Sequence, residues 1–359
     1  MRITSFALAL LTASILAACG SGSSTSGNQA LKTQFSAQVT FGDSLSDVGT
    51  YAVGTVLQLG GGKFTINGDN TAINPALTGK NWTQLMAAQF GLAAPCAAQT
   101  GLNGTASLGF SVPVVNHAAC FGYAQGGARV TNPVGPGNAA TGSALGALTV
   151  PLVTQVQNHL TATGGSFTGN EIVLVMAGGN DALFQLATLS AGATTPTQVL
   201  AAMATAGSDL VALVKTQMLA KGANFVTVNN LPDLGSTPFA LAQTTDTQAL
   251  IAAMVSAFNA QLVSGFAGEP RVLLVDVYAV SHDESLNPAP YGLTNVSTPA
   301  CDLTSAKNPL ASSLVCNGAN LIAGDVSHYA FADTVHPTPF NNFLLARYVS
   351  EKMVIKGWL

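Results

Sequence analysis

Four short blocks of this chain carry side chains that can do chemistry together. Phe41-Gly42-Asp43-Ser44-Leu45-Ser46-Asp47 sets a hydroxyl directly after a strand-like run, beside a glycine that lets the chain turn. Gly178-Gly179-Asn180-Asp181 sets a side-chain amide at the end of the strongest buried-strand signal, and an amide donates a hydrogen bond without titrating. Asp333-Thr334-Val335-His336-Pro337 places a carboxylate three residues before an imidazole, a spacing that lets both point the same way on one turn. Phe121 to Ala128 contains Gly126-Gly127, whose backbone can take positive φ and bring N–H groups close to a ligand.

A serine hydroxyl is a poor nucleophile until a base accepts its proton. Histidine suits that work near neutral pH, and a carboxylate fixes its tautomer and stabilises the imidazolium. Each block also has a plainer structural reading. The Ser-Asp turn can be an Asx turn or a helix cap, Gly178 to Asp181 can cap a helix, the Asp-His pair can be a surface feature, and the paired glycines can form a tight turn. No G-x-S-x-G elbow occurs in the sequence, which disfavours the ordinary α/β-hydrolase arrangement.

Positions scattered from 44 to 336 need a scaffold that gathers them. Gln38–Phe41 reads as a short strand. Asn81–Phe90 reads as a helix with Trp82, Leu85, Met86 and Phe90 on one face and Gly91 as its stop. Glu171–Ala177 is a continuous apolar run, the mark of a strand buried on both faces. Pro196–Ala220 predicts a helix, Asn224–Val228 a strand, Leu231–Gly235 a turn, Asp246–Phe266 a helix, Arg271–Asp276 a strand and Phe340–Lys356 a closing helix. This alternation predicts an α/β fold with a parallel sheet covered on both faces, whose ligands bind beyond the carboxyl ends of the strands. Residues 92–150 and 279–335 are long, Gly/Asn/Pro-rich and weakly periodic, and read as functional loop excursions. With no internal repeat and no second boundary, 39–359 reads as a single domain.

Gly-Asp-Ser-Leu at 42–45, Gly-Gly-Ala at 126–128, Gly-Gly-Asn-Asp at 178–181 and Asp-x-Val-His-Pro at 333–337, in that order, resemble the GDSL family of SGNH hydrolases. Phe41, Asp47 and Leu231 to Pro238 strengthen the resemblance, which spans about residues 39–350. It implies a flavodoxin-like α/β/α sandwich with a central parallel sheet and long loop insertions. It also implies a serine carboxylester hydrolase with Ser44 as nucleophile, His336 as general base and acid, and Asp333 as the orienting carboxylate. The implied oxyanion hole comprises the Ser44 N–H, the Gly127 N–H and the Asn180 side chain. The family's second block usually begins with Asn, where this chain has Gly122, so Gly126 stands as the alternative to Gly127. No cofactor is needed. Family members of this kind include lipases and phospholipases, some of which transfer the acyl group to an acceptor alcohol. Apolar stretches at 92–120 and 279–330 suit a lipid substrate, while Ser/Asn-rich loops leave a carbohydrate acetylesterase open. An inactive scaffold that binds envelope partners would be expected to have lost Ser44, Asn180 or His336, and all three are present.

The N-terminus has the plan of a secretory signal over residues 1–18: Arg2, then an apolar run from Phe6, then small residues. Leu16-Ala17-Ala18-Cys19 resembles the bacterial lipobox, which implies cleavage before Cys19 and its lipidation. The alternative is an ordinary signal cut after Ala18. Residues 19–38 then form a tether rich in Gly and Ser. Gly20 after the cysteine favours the outer membrane by analogy with lipoprotein sorting. The remaining Cys96, Cys120, Cys301 and Cys316 suggest two disulfides in an exported chain, most simply Cys96–Cys120 and Cys301–Cys316.

Composition excludes other classes. The 359 residues carry 12 Lys+Arg against 16 Asp+Glu, a net charge of −4 that argues against nucleic-acid binding. The run Ile3–Ala18 is too short for a comfortable membrane span, so a multi-span membrane protein is not indicated. His117, His159, His282 and His328 show no HxxxH or HExxH spacing, and no cysteine pair has CxxC spacing, so no metal site is expected. Gly135 to Ala140 fits a loose G-x-G-x-x-A pattern but follows Asn-Pro-Val rather than a strand. Asp233 reads as a turn former, and Asp47 as a brace of the Ser44 turn or a helix cap. His328 reads as a surface residue or as part of the pocket mouth. Oligomeric state is not legible.

Overall fold

Short strands that are apolar on both faces form a sheet only when helices cover both sides. In chain order the elements are strand β1 (Gln38–Gly42), helices α1 (Gly54–Gln58) and α2 (Trp82–Gln89), strands β2 (Gln99–Asn103) and β3 (Ser111–Asn116), and helix α3 (Leu152–Ala162). Then follow β4 (Ile172–Met176), α4 (Gly179–Ser190), α5 (Pro196–Leu213), β5 (Phe225–Asn229), α6 (Pro238–Leu241), α7 (Thr245–Phe266), β6 (Val272–Val275), α8 (Val277–Leu286) and α9 (Pro339–Lys356). The computed structural model describes residues 32–68 and 75–359. The expected signal peptide, the Cys19 lipidation site and most of the tether lie outside the described residues. Thr33–Leu359 form one compact unit.

The central sheet is parallel, in the order β1-β4-β5-β6. Alternation along β4 splits the core. Val173 and Val175 face one way, packed with Val39, Phe41, Val226 and Val228 beneath α3, α5 and α7. Ile172, Leu174 and Met176 face the other way, against Trp82 and Met86 of α2 and Val349 and Met353 of α9. The result is the α/β/α sandwich expected of an SGNH hydrolase. A further segment, 121–125, lies parallel to the free edge of β1. Thr40 N donates to Phe121 O (2.9 Å), Tyr123 N to Thr40 O (2.8 Å) and Gln125 N to Gly42 O (3.1 Å). The sequence around Gly126-Gly127 shows no clear preceding strand because this segment is only a few residues long and interrupted by Gly122.

Helix starts follow local chemistry. Asn81 with Gln84 and Thr195 with Gln198 form capping boxes for α2 and α5, and Thr338 caps α9 ahead of Pro339. Such caps contribute about 1 kcal/mol each. Beyond Leu213 the α5 chain widens into a π turn at Val214–Met218 and tightens over Leu219–Lys221. The stretches Pro196–Lys221 and Thr245–Phe266 are long and apolar enough to cross a bilayer by length and composition. They instead pack on each other and on the sheet, through Met203, Leu210, Met254 and Phe258 among others.

The two stretches read as loop excursions are partly regular. β2 and β3 pair as an antiparallel hairpin inside 92–150, and α8 occupies the start of 279–335. The hairpin escapes periodicity because β3 is mostly exposed on both faces and β2 carries an irregular register at Gly101. Both local disulfides form: Cys96–Cys120 closes the hairpin region beside β1, and Cys301–Cys316 closes a loop packed against Ile66, Val326 and Ala332. Each stabilises by restricting the unfolded chain, on the order of 3 kcal/mol for loops of this length.

His159 on α3 is only 2% exposed and is ringed by Phe41, Phe121, Tyr123 and Phe167. Neither of its ring nitrogens has a hydrogen-bond partner among the described residues. Burial pushes its pKa down from 6.5 to about 4, against the opposing pull of Glu171. Below pH 6.5 the unfolded chain therefore takes up a proton that the folded chain refuses. Stability is lost progressively between pH 6.5 and about 4, by about 3 kcal/mol in full. His159→Leu should remove this contribution, so urea midpoints measured at pH 7 and pH 4.5 should differ less in the variant than in the native protein.

Candidate active site

β1 ends at Gly42, where an added Cβ would stand 2.4 Å from the Met176 carbonyl oxygen, so only glycine permits this approach to β4. Gln155 of α3 secures the strand end: Gly42 N donates to its Oε1 (2.9 Å) and its Nε2 donates to Gly42 O (2.8 Å). The chain then turns. Asp43 Oδ1 accepts from Leu45 N and Asp43 O from Ser46 N, an Asx-type turn that carries Ser44 past the sheet edge. Burial raises the Asp43 pKa to about 7.

Ser44 Oγ lies 2.8 Å from His336 Nε2. His336 Nδ1 lies 2.8 Å from Asp333 Oδ2 and 2.9 Å from Oδ1. Asp333 is buried and also accepts from Ser313 N (2.7 Å), Val335 N (2.9 Å) and His336 N (2.8 Å). Burial by itself would raise its pKa, but the facing imidazole and these donors hold the carboxyl well below the usual carboxylate value. An imidazole that donates from one ring nitrogen to such a carboxylate has the other free to accept a proton. The Phe64 ring lies 4.9 Å from the imidazole and limits its rotation.

α4 begins immediately after β4. Its N-cap, Gly178, has φ +112°, and an added Cβ would meet the Phe258 ring at 2.5 Å. Asn180 therefore lies in the first helical turn, on the same sheet edge as Ser44. Its Nδ2 donates one hydrogen to Ala128 O (3.0 Å), and a primary amide has a second to offer. Gly127 has φ +79°, and its missing side chain leaves room for Pro136 O and Thr149. Gly126, the alternative backbone donor, gives its N–H to Asp47 Oδ2 (2.9 Å) and is not free for a ligand. Gly122 stands between the Cys96 carbonyl and Val48, each within 3 Å of where a Cβ would be, so the asparagine usual there would not fit. Ser44, Gly127, Asn180 and His336 all line one cavity of about 440 Å³. Its other walls are mainly apolar, with Leu145, Leu183, Leu186, Phe239, Ile251 and Leu310 among them.

The other histidines lie apart from this group. His282 Nδ1 pairs with Asp233 Oδ2 at 2.8 Å, and Asp233 also accepts from Gly235 N as a turn former does. His117 Nε2 contacts Thr100 Oγ1, while His328 is exposed and packs on Phe340. Asp47 braces the Ser44 turn through Gly49 N and Thr50 N in addition to holding Gly126.

Sequence reasoning misses the partnership of Arg129 and Asp181. Asp181 follows Asn180; its Oδ1 accepts from Arg129 Nε and its Oδ2 from Val130 N, both at 3.0 Å. Both residues are buried, and the guanidinium lies over the Phe184 ring at 4.3 Å. Burial raises the Asp181 pKa and Arg129 opposes the rise. The pair thus ties the loop carrying Gly127 to the helix carrying Asn180. The only sequence signal is an acid beside the amide, which by itself reads as a helix cap. Removing one partner of a buried ion pair costs about 3–5 kcal/mol. Asp181→Ala should lower the denaturation midpoint accordingly and should reduce kcat more than it raises KM, measured at a temperature where the variant is folded.

A family model of GDSL-like lipases and acylhydrolases matches residues 39–349. No curated protein matches the chain significantly. Among solved structures the chain is similar to a variant of an acetyl-xylooligosaccharide esterase from Geobacillus stearothermophilus, at 12% identity over 90% of this chain and 96% of that one, with a TM-score of 0.40. It is also similar to phospholipase A1 from Streptomyces albidoflavus (14% identity, 89% and 99% covered, TM-score 0.39). An extracellular lipase from Streptomyces rimosus is a third (19% identity, 86% and 97% covered, TM-score 0.35). With its parallel sheet, its four blocks and a family match spanning most of its length, the chain belongs to the GDSL-like lipase/acylhydrolase family and is a hydrolase of carboxylic esters.

Proposed function

We propose that the protein cleaves esters through an acyl-enzyme on Ser44. His336 Nε2 takes the hydroxyl proton as Ser44 Oγ attacks the ester carbonyl, and Asp333 stabilises the imidazolium that forms. The oxyanion of the tetrahedral intermediate accepts hydrogen bonds from the N–H groups of Ser44 and Gly127 and from the free amide hydrogen of Asn180. The alcohol leaves with the proton from His336, and water, deprotonated by the same imidazole, releases the acid. The observation that carries this reading is the Ser44–His336–Asp333 chain, with 2.8 Å at each link, opening into the cavity that Gly127 and Asn180 also line. The size and apolar walls of that cavity favour an extended acyl chain, hence a lipase or esterase rather than a deacetylase.

A fluorophosphonate probe should label the native protein and not Ser44→Ala, whose kcat should fall by a factor on the order of 10⁴ or more. Asn180→Ala should lose about 10²–10³ in kcat with little change in KM. Across p-nitrophenyl esters from acetate to palmitate, kcat/KM should rise with chain length beyond acetate. An optimum confined to acetate would transfer the reading to deacetylation.

We further infer that the protein is exported and held at the outer membrane by a lipid on Cys19. Support comes from the leader and lipobox-like residues 16–19 and from two disulfides, which persist in oxidising compartments. Cys19→Ser should shift the protein from the membrane fraction to the soluble fraction of fractionated cells. An unchanged distribution would remove the anchor.

A further inference from the structure

The inner face of α8 runs Val277, Val280, Ser281, Glu284, a spacing that sets all four on one side of a helix. Glu284 stands where an apolar residue would complete the stripe. It is 7% exposed, and its carboxyl has no hydrogen-bond partner among the described residues. Burial raises its pKa to about 7, with Asp283 adding to the rise, so the group holds a proton over much of the range below neutrality. The carboxyl oxygens are not sealed off, so they can meet a ligand, and a hydrogen bond made in this apolar setting is stronger than one made in water.

Such a ligand has a place to sit. Glu284 lines a second cavity of about 100 Å³, together with the side of Asn341, whose amide is likewise unpartnered among the described residues. Leu45, Leu234, Thr237 and Val335 line both this cavity and the larger one containing Ser44 and His336. Leu45 follows Ser44 and Val335 precedes His336, so the smaller space lies across shared walls from these two residues, which themselves line only the larger cavity. Its volume is roughly that of three water molecules in the liquid, the scale of a two- or three-carbon alcohol. Phe331 is its one aromatic wall among the described residues, too few rings to cage a quaternary ammonium group. The Ser236, Thr237, Ser281 and Ser285 hydroxyls already donate to backbone carbonyls, and the Asp233 carboxylate is paired with His282 and Gly235 N, which leaves the Glu284 carboxyl and the Asn341 amide to meet a ligand.

We propose that this smaller cavity is the alcohol-side subsite of the ester, and that Glu284 and Asn341 hydrogen-bond the free hydroxyls of a glycerol-type leaving group. The assignment rests on the reading of Ser44 as nucleophile. The larger apolar cavity then takes the acyl chain, and the two cavities divide the substrate at the scissile bond.

The test compares kcat/KM for two soluble esters of one acid, 1-monobutyrin and ethyl butyrate, in the native protein, Glu284→Gln and Glu284→Leu. The native protein should favour monobutyrin. Glu284→Leu should lower the monobutyrin-to-ethyl ratio about tenfold, and Glu284→Gln, which keeps a hydrogen-bonding head, should lower it less. Should Glu284→Leu not fold, Asn341→Ala provides the same ratio. No preference in the native protein, ratios within twofold of native in all folded variants, or a choline ester preferred over monobutyrin would each overturn the subsite. Absence of turnover of both esters together with absence of fluorophosphonate labelling would instead overturn the nucleophile on which it rests.

Discussion

Gly42 and Met176 are register partners on adjacent parallel strands, and the relation among Ser44, Gly127 and Asn180 follows from that pairing. Parallel strands whose carboxyl ends lie level deliver their outgoing loops to one edge. Ser44 leaves β1 and Asn180 leaves β4 at that edge, while the segment along the far side of β1 delivers Gly127 there as well. Side chains alternate with a period of two, so a slip of one residue would turn Val173 and Val175 to the opposite helical layer. The core thus enforces the register, and the register sets the distance between hydroxyl and amide. The glycine at 42 is the local concession that lets the two strand ends come so close.

Precision around Gly127 comes from buried carboxylates on two other elements. Asp47, from the Ser44 turn, holds Gly126; Asp181, from α4, holds Arg129 and Val130. The intervening Gly127 and Ala128 are therefore suspended between two anchors on two different elements. Each acid sits in a place where an unpaired charge would be expensive, and each is satisfied by donors whose positions it fixes in return. The placing of the Gly127 backbone is in this sense a by-product of satisfying two buried acids.

The legible part of the molecule was that in which local pattern and tertiary role coincide. β4 announces itself because five consecutive apolar residues have no other stable use, and Ser44, Asn180 and His336 are conspicuous because each follows a strand or precedes a capped helix. Chemistry that depends on partners far apart in sequence left no such trace. Arg129 and Asp181 are separated by 52 positions, and nothing near either one indicates the other. The β2–β3 hairpin was hidden for a different reason: exposed on most positions, it has no apolar face to betray its period. Glu284 leaves no trace in the sequence because Asp283-Glu284, in a stretch read as a loop excursion, reads as solvent-facing, and only the packing of α8 turns one of the two acids inward.

Ser313, whose N–H supports Asp333, lies within the ring of chain closed by Cys301–Cys316. That ring also lends Pro309, Leu310 and Leu314 to the wall of the reaction space. The crosslink holds in place both the donor to the carboxylate behind the imidazole and one boundary of the cavity. An enzyme whose own chemistry transfers no electrons thus owes part of the fixity of its cavity wall to one cystine.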